Sequence, residues 1–255
     1  MFKDRRKWIG EQFAERPFIS LDELEERFPD VSQMTLRRDL DYFEKRGEAI
    51  KVRGGARSAK FITEQADNPY AQRMNINIRT KRAIAKTAAE YLETGRSIFV
   101  DSGSTVQQII PFIENNHYTF TTTSPLTALE LCRVGKGTVN LVGGRLDRDY
   151  QAVYGQQAMH FLSEVNIDIA ILCPSGFSLE SGFTGGNYGE CDLKRAVAEK
   201  ARKVIMLLDT SKLDKSLPYT FCSLNDIDVL ICDAALPEKA AEAVKAAGVE
   251  LVICE

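Results

Sequence analysis

From Lys81 onward, stretches such as "RSIFVDSG", "IDIAILCPSG", "KVIMLLDTS" and "IDVLICDA" are apolar almost without a break, and segments of helical spacing fall between them. A strand with one face in water alternates apolar with polar residues. A strand lacking that alternation is covered on both faces. Repeated strand–helix alternation therefore predicts a Rossmann-like α/β domain built on a mostly parallel sheet, with helices on both sides. The expected helices are "KRAIAKTAAEYL", "STVQQIIPFI", "PLTALELCRV", "YGQQAMHFLSEV", "GECDLKRAVAEKA" and "EKAAEAVKAAG"; "YTFTTTS", "TVNLVGG" and "ELVICE" complete the strands. No internal repeat and no low-complexity tract interrupts the series.

The first 57 residues follow a different rule. Residues 3 to 15 fit a helix through Ile9 and Phe13, with Phe2 and Trp8 widening the apolar face, and Pro17 ends it. "SLDELEERF" starts a second helix with Ser20 and Glu23 in capping-box spacing and with Leu21, Leu24 and Phe28 as its stripe. After a turn at "PD", Ser32 caps a third helix whose Leu36, Leu40 and Phe43 face inward. Gln33, Thr35, Arg37 and Arg38 are left outside or on the margin of that face. Gly47 stops the helix, and "EAIKVR" then alternates as a strand up to the turn at Gly54 and Gly55. Three short helices and a glycine-tipped ribbon make a winged helix-turn-helix, an α+β domain whose third helix enters the major groove of DNA. An arginine fork grips guanine or phosphate bidentately, so Arg37 and Arg38 suit the groove, and Lys51 and Arg53 on the ribbon suit the neighbouring backbone. The competing reading pairs the two arginines with Asp39, Asp41 or Glu44 on a solvated helix.

Charge supports a local nucleic-acid reader over a general one. The chain carries a net charge of −3, yet residues 31–57 hold seven Lys/Arg against four Asp/Glu. The 44% hydrophobic content suffices for a sizeable core, and no apolar run approaches the ~20 residues needed to cross a bilayer. With no signal-type segment at the N-terminus, a cytoplasmic location is expected and no membrane partner. The six cysteines are scattered without a Cys-x-x-Cys pair and read as buried free thiols. His117 and His160 stand far apart, so neither a metal site nor a cofactor is expected.

Ligands of parallel sheets bind beyond the carboxyl ends of the strands. Those ends offer "DSGST" (Asp101, Gly103, Ser104, Thr105), "TTTS" (Thr123, Ser124), "GGR" (Gly144, Arg145), "PSG" (Ser175, Gly176) and "DTSK" (Lys212). "SGST" entering a helix has the chemistry of an anion cradle: Gly103 permits close approach, and Ser104, Thr105 and the helix end supply donors. Alone it reads rather as a tight strand-to-helix turn with a capping serine. Five such loops converging point to a phosphorylated small molecule.

"LEERF…VSQMTLRRDLDYFEKRGEAIKVRGGA" resembles the N-terminal signature of the DeoR-type bacterial transcriptional regulators, a V-S-x-M-T-[IL]-R-R-D-L helix followed by a G-G-A wing. "FPDVS" is one residue longer than the usual turn, and Arg53 stands where histidine is common. "DSGST", "LVGGRL", "GFSLESGFTGGNYGECDLKRA", "LLDTSK" and "LNDIDVLICD" resemble that family's effector domain, which is similar in fold to ribose-5-phosphate isomerase and the CoA-transferases. The resemblance implies a sugar-phosphate-sensing repressor of a carbohydrate operon. It places Asp101, Gly103, Ser104, Thr105, Glu190, Lys194 and Lys212 on the effector-pocket motifs. Glu190 and Lys194 are also spaced for a structural salt bridge. The four-glycine "LESGFTGGNYGE" is expected as a loop, either plain or closing over the ligand.

The expected organisation is a DNA-binding domain at 1–57, a linker at 58–80 that turns helical near Tyr70, and an effector-sensing and oligomerising domain at 81–255. Its partners would be a double-stranded operator, a phosphorylated sugar and further copies of itself, as a homodimer or homotetramer. The alternatives are an isomerase with Asp101 or Glu190 as base and Lys194 as electrostatic stabiliser, or a pure interaction module. The first leaves the N-terminal reader idle; the second leaves the polar strand ends unexplained.

Overall fold

The structure, a computed structural model, describes residues 2–16, 18–52, 54–58 and 70–254 in two units, Met1–Asn68 and Pro69–Glu255. Pro17 and Arg53 lie outside the described residues, as do residues 59–69 of the linker expected at 58–80.

The first unit runs α1 (Phe2–Glu15), β1 (Phe18–Ser20), α2 (Leu21–Arg27), α3 (Gln33–Lys45), β2 (Ala49–Val52) and β3 (Gly55–Ser58). Ser20 caps α2 by accepting the Glu23 amide at 3.1 Å, and Ser32 caps α3 by accepting that of Thr35 at 3.4 Å. Leu36, Leu40 and Phe43 are buried together with Ile9, Phe13, Ile19 and Leu24 in one core. Phe28 is only half-buried, where its ring meets Trp8 edge-on at 5.5 Å. The ribbon β2–β3 turns at Gly54 in the left-handed region (φ 87°), and β3 pairs on its other side with β1. Sequence did not anticipate β1, because three residues are too few to show a period of two.

Asp39 is fully buried on α3, where it takes the guanidinium of Arg5 and, at 2.7 Å, that of Arg6 from α1. Arg6 also lies 4.0 Å from the centre of the Tyr42 ring. One carboxylate thus fixes the first helix to the third. Removing one partner of a buried ion pair leaves the other charges uncompensated.

In the second unit, α4 (Tyr70–Asn75) and α5 (Ile78–Ala89) precede a seven-stranded sheet. Its strands are β4 (Ser97–Val100), β5 (His117–Thr122), β6 (Lys136–Leu141), β9 (Ile169–Leu172), β12 (Lys203–Leu208), β14 (Val229–Cys232) and β15 (Glu250–Ile253), in the order β15-β14-β12-β9-β4-β5-β6. Every pairing is parallel. The chain starts at the centre, runs outward through β5 and β6, and returns to build the other half from β9. That is the Rossmann strand order, and its reversal lies between β4 and β9.

The uninterrupted apolar strands are explained by two cores. Phe99, Ala170, Leu172, Met206 and Leu230 face one, under α7 (Gln156–Glu164), α8 (Tyr188–Lys200) and α9 (Glu238–Ala246). Ile98, Val100, Ile171, Ile205 and Ile231 face the other, under α5, the segment Val106–Phe112 and α6 (Pro125–Leu131). Among the described residues no helix is long and apolar enough to cross a membrane. Cys132 is exposed, in contrast to the expectation of buried thiols; the other five cysteines are buried.

Three sequence expectations are corrected. "STVQQIIPFI" forms not an α-helix but a 3₁₀ helix over Val106–Phe112, because Pro111 cannot donate and β-branched residues crowd the turn. Tyr154 belongs not to a helix but to β8 (Ala152–Tyr154), which pairs with β7 (Arg145–Asp147). "LESGFTGGNYGE" holds the turn after β10 (Gly176–Ser178), all of β11 (Gly182–Gly185) and the first residues of α8; β10 and β11 form a hairpin with β13 (Tyr219–Cys222) as third strand, and Phe183 and Thr184 are fully buried.

The chain's single tryptophan, Trp8, reports on the first unit alone. We expect Asp39→Ala to lower the stability of that unit by roughly 3–5 kcal/mol, measured as the urea midpoint of Trp8 fluorescence.

Candidate functional site

In the first unit the three acids offered by sequence as partners for Arg37 and Arg38 are engaged elsewhere. Asp39 holds Arg5 and Arg6, Asp41 pairs with Lys51, and the Glu44 carboxylate accepts the Lys51 amide at 2.9 Å. Among the described residues neither Arg37 nor Arg38 has an ion pair, and both are exposed beside Ser32 and Gln33 on one end of α3. Thr35 is half-buried, its hydroxyl 3.0 Å from that of Ser32. This face is left with two unneutralised forks. The Asp41 pair occupies the Lys51 ammonium, and the position of Arg53 is not described.

In the second unit Asp101, Glu190 and Lys194 meet where the sheet reverses. Asp101 ends β4, and both its oxygens are occupied. Oδ1 accepts the Ser102 amide at 2.8 Å; Oδ2 accepts the Cys173 amide at 3.2 Å and meets Lys194 Nζ at 3.0 Å. Lys194 reaches in from α8, pairs with Glu190 one turn earlier at 2.8 Å, and donates to the Cys173 carbonyl at 2.9 Å. The salt bridge expected from the i,i+4 spacing therefore exists, but it is buried and joined to β4 and β9. Burial opposes the charge on Lys194; Asp101 and Glu190 outweigh it and hold the ammonium well above the ordinary lysine value. Burial pushes the Cys173 thiol up to about 12, with Asp101 adding to the shift.

Gly103 is explained by packing. A Cβ there would lie 2.1 Å from Cys173 Sγ and 3.2 Å from an Asp101 oxygen. The close approach it permits is to the neighbouring strand. Ser104 and Thr105 are buried beside it.

The residue that sequence reasoning missed is Lys81. It is only 3% exposed, and its ammonium donates to Ser104 Oγ at 3.0 Å and to the Arg73 carbonyl at 2.5 Å. Burial pushes its pKa below the ordinary lysine value; Lys212 and Arg73 press in the same direction, against Cys173 and Asp209. A signal was present: Lys81 falls on the stripe of α5 otherwise occupied by buried Ile84, Ala85 and Ala88. A cation on an apolar stripe needs a buried partner. Lys212 is half-buried and follows Asp209, which Asn77 Nδ2 reaches at 3.1 Å.

The remaining candidates scatter. Ser124 caps α6, accepting the Thr127 amide at 3.2 Å, and Thr123 is buried with its carbonyl taking the Val153 amide. Gly144 and Arg145 lie exposed where β7 begins. The Ser175 amide bonds to Thr184, and a Cβ on Gly176 would strike the Lys215 carbonyl at 2.5 Å, so both serve the small sheet. A cleft of about 280 Å³ opens between α8 and β13, and one of about 880 Å³ between the small sheet and α9; none of the candidate residues lines either. The site at the sheet reversal is defined by its buried charges.

Residues 5–61 match the model of the DeoR-like helix-turn-helix domain, and residues 76–234 that of the DeoR C-terminal sensor domain. The chain belongs to the DeoR family of DNA-binding transcriptional regulators. It is similar to the HTH-type transcriptional regulator GlpR of Haloferax volcanii, 32% identical over 98% of this chain and 96% of that one. The putative aga operon transcriptional repressor of Escherichia coli O157:H7 is 28% identical over 98% and 93%. The glycerol-3-phosphate regulon repressor of Escherichia coli K12 is 26% identical over 98% of each.

Replacing Lys194 by Met strands two buried carboxylates. We expect a loss of roughly 3–5 kcal/mol at neutral pH, read by far-UV circular dichroism in urea. The sign follows from the raised pKa. The contribution of Lys194 is full below the ordinary lysine value and is lost only as pH rises through its higher folded value, so across acid and neutral pH it is constant.

Proposed function

We propose that this chain is a repressor of a carbohydrate operon, released or engaged by a phosphorylated sugar or polyol held at the reversal between β4 and β9. The observation that carries this reading is the division of charge there. Lys81 donates to Ser104 and feels two further cations, Lys212 and Arg73, against one carboxylate, Asp209. Around Cys173, Asp101 and Glu190 outnumber Lys194. A ligand with a dianion at one end and hydroxyls at the other matches both poles: the phosphate takes ammonium and hydroxyl donors, and the hydroxyls donate to carboxylates. The helix end invoked from sequence contributes little, because a short 3₁₀ segment aligns few peptide dipoles. The name of the glycerol-3-phosphate regulon repressor is in keeping with a phosphorylated ligand.

An isomerase reading leaves the N-terminal DNA-binding domain without a role, and both of its candidate bases, Asp101 and Glu190, are committed to the buried Lys194.

On the DNA side, Arg37 and Arg38, flanked by Ser32, Gln33 and Thr35, read the major groove, while Lys51 and Arg53 approach the phosphates from the ribbon. A symmetric operator then calls for a homodimer or homotetramer.

The test is fluorescence anisotropy on DNA from upstream of the chain's own gene, with and without a panel of sugar phosphates. Arg37→Ala or Arg38→Ala should weaken operator binding by about 1–3 kcal/mol, without loss of fold. Unchanged affinity in both variants sinks the assignment of α3 as the reading helix.

A pH series supplies a second check. A bound dianion favours the ammonium form of Lys81, whose pKa in the free protein is depressed. Effector affinity should therefore rise as the phosphate completes its ionisation near pH 6–7. It should then fall with further rise in pH, earlier than an ordinary lysine at 10.5 would titrate. Isothermal titration calorimetry measures this directly; affinity that is flat above neutrality excludes Lys81 from the anion pole.

A further inference from the structure

Lys81 does two things at once. Its ammonium sits in the cationic pole of the site beside Ser104, and it holds the carbonyl of Arg73 at 2.5 Å. That carbonyl belongs to the last turn of α4, where helix carbonyls lack partners within the helix and a cation is favoured. Six residues are far too few for a helix to persist alone in water, so α4 depends on what ties it down. Two further ties lead to the same place. The Arg73 guanidinium lies 5.4 Å from the centre of the Tyr150 ring, and Asn77, in the left-handed region at φ 53°, sends its amide to Asp209 at 3.1 Å. All three ties start within residues 73–81, and the Lys81 and Asn77 ties end on the strand-end loops that carry Ser104 and Lys212. In the chain, α4 is the first described element after residues 59–69, which lead from the wing.

We propose that Lys81 couples occupancy of the site to α4: an anion bound beside Ser104 draws the ammonium away from the Arg73 carbonyl and releases the last turn of α4. The inference rests on the anion pole of the proposed function and names how that site is read out. The driving difference is between a charged acceptor and a neutral one. A phosphate adds attraction between two full charges to the ammonium hydrogen bond, which the neutral Arg73 carbonyl does not supply. The freed carbonyl loses its tether, and the signal leaves along the chain toward the DNA-binding unit. No new bond is made or broken covalently, and no other ligand is required.

Hydrogen–deuterium exchange on the full-length protein tests this, with inorganic phosphate and with glycerol 3-phosphate as probes at millimolar concentration. Supporting the proposal, amides of residues 101–106 become protected while those of 74–77 exchange about tenfold faster, the factor carried by one net hydrogen bond. Protection at 101–106 with unchanged or slower exchange at 74–77 overturns the coupling and leaves the anion site standing. No protection at 101–106 with either probe overturns the anion site, and the coupling with it. Lys81→Met supplies an independent reading. Without the tether, 74–77 should exchange fast whether or not phosphate is present; slow exchange in a folded variant overturns the proposal.

Discussion

The buried contact of Lys194 with Asp101 holds the second unit together where its strand order reverses. A doubly wound sheet has one place where neighbouring strands run apart in the connection order, and there no helix crosses over to seal the ends. In this protein Asp101 closes that gap by accepting the Cys173 amide from the adjoining strand, and Lys194 neutralises the result from α8. The cost of burying these charges is offset only because each is paired and hydrogen-bonded. Gly103 completes the joint by letting the loop lie against Cys173, where any side chain would collide.

The two lysines of the site are tuned in opposite directions by their company. Lys194, between two carboxylates, is fixed as a cation and acts as a structural charge. Lys81, among other cations and bonded only to neutral oxygens, is left short of negative charge. A site with one satisfied and one unsatisfied ammonium is stable when empty and still gains from an arriving anion.

Much of the architecture was legible because it is local or repetitive. The stripe of Leu36, Leu40 and Phe43 set the inward face of α3, and the unbroken apolar strands announced a sheet covered on both sides. Asp101, Glu190 and Lys194 were legible from their motifs, and the structure brings them together. What escaped depends on partners distant in sequence. Asp39 looked like a surface acid for Arg37 and Arg38 until α1 delivered Arg5 and Arg6 to it. The small sheet joins β11 to β13 across a segment with no strand pattern of its own, and the role of Lys81 depends on Ser104 and on α4. Pro111 was visible in the sequence but given too little weight; it turned the expected helix into 3₁₀.

The strand order also fixes a sequence of events during synthesis. In the first unit a side-chain bond as long-ranged as that from Ser58 to Phe13 spans 45 residues, and every partner is made early. The joint of the sensing unit ties Asp101 to a residue 72 positions later and then needs Lys194 as well. Domains generally fold as units, the N-terminal one first as the chain emerges, and distant pairings come last. The DNA-reading unit is therefore finished while the centre of the sensor is still open on the ribosome, and a chain cut short before Lys194 would carry the reader without its control.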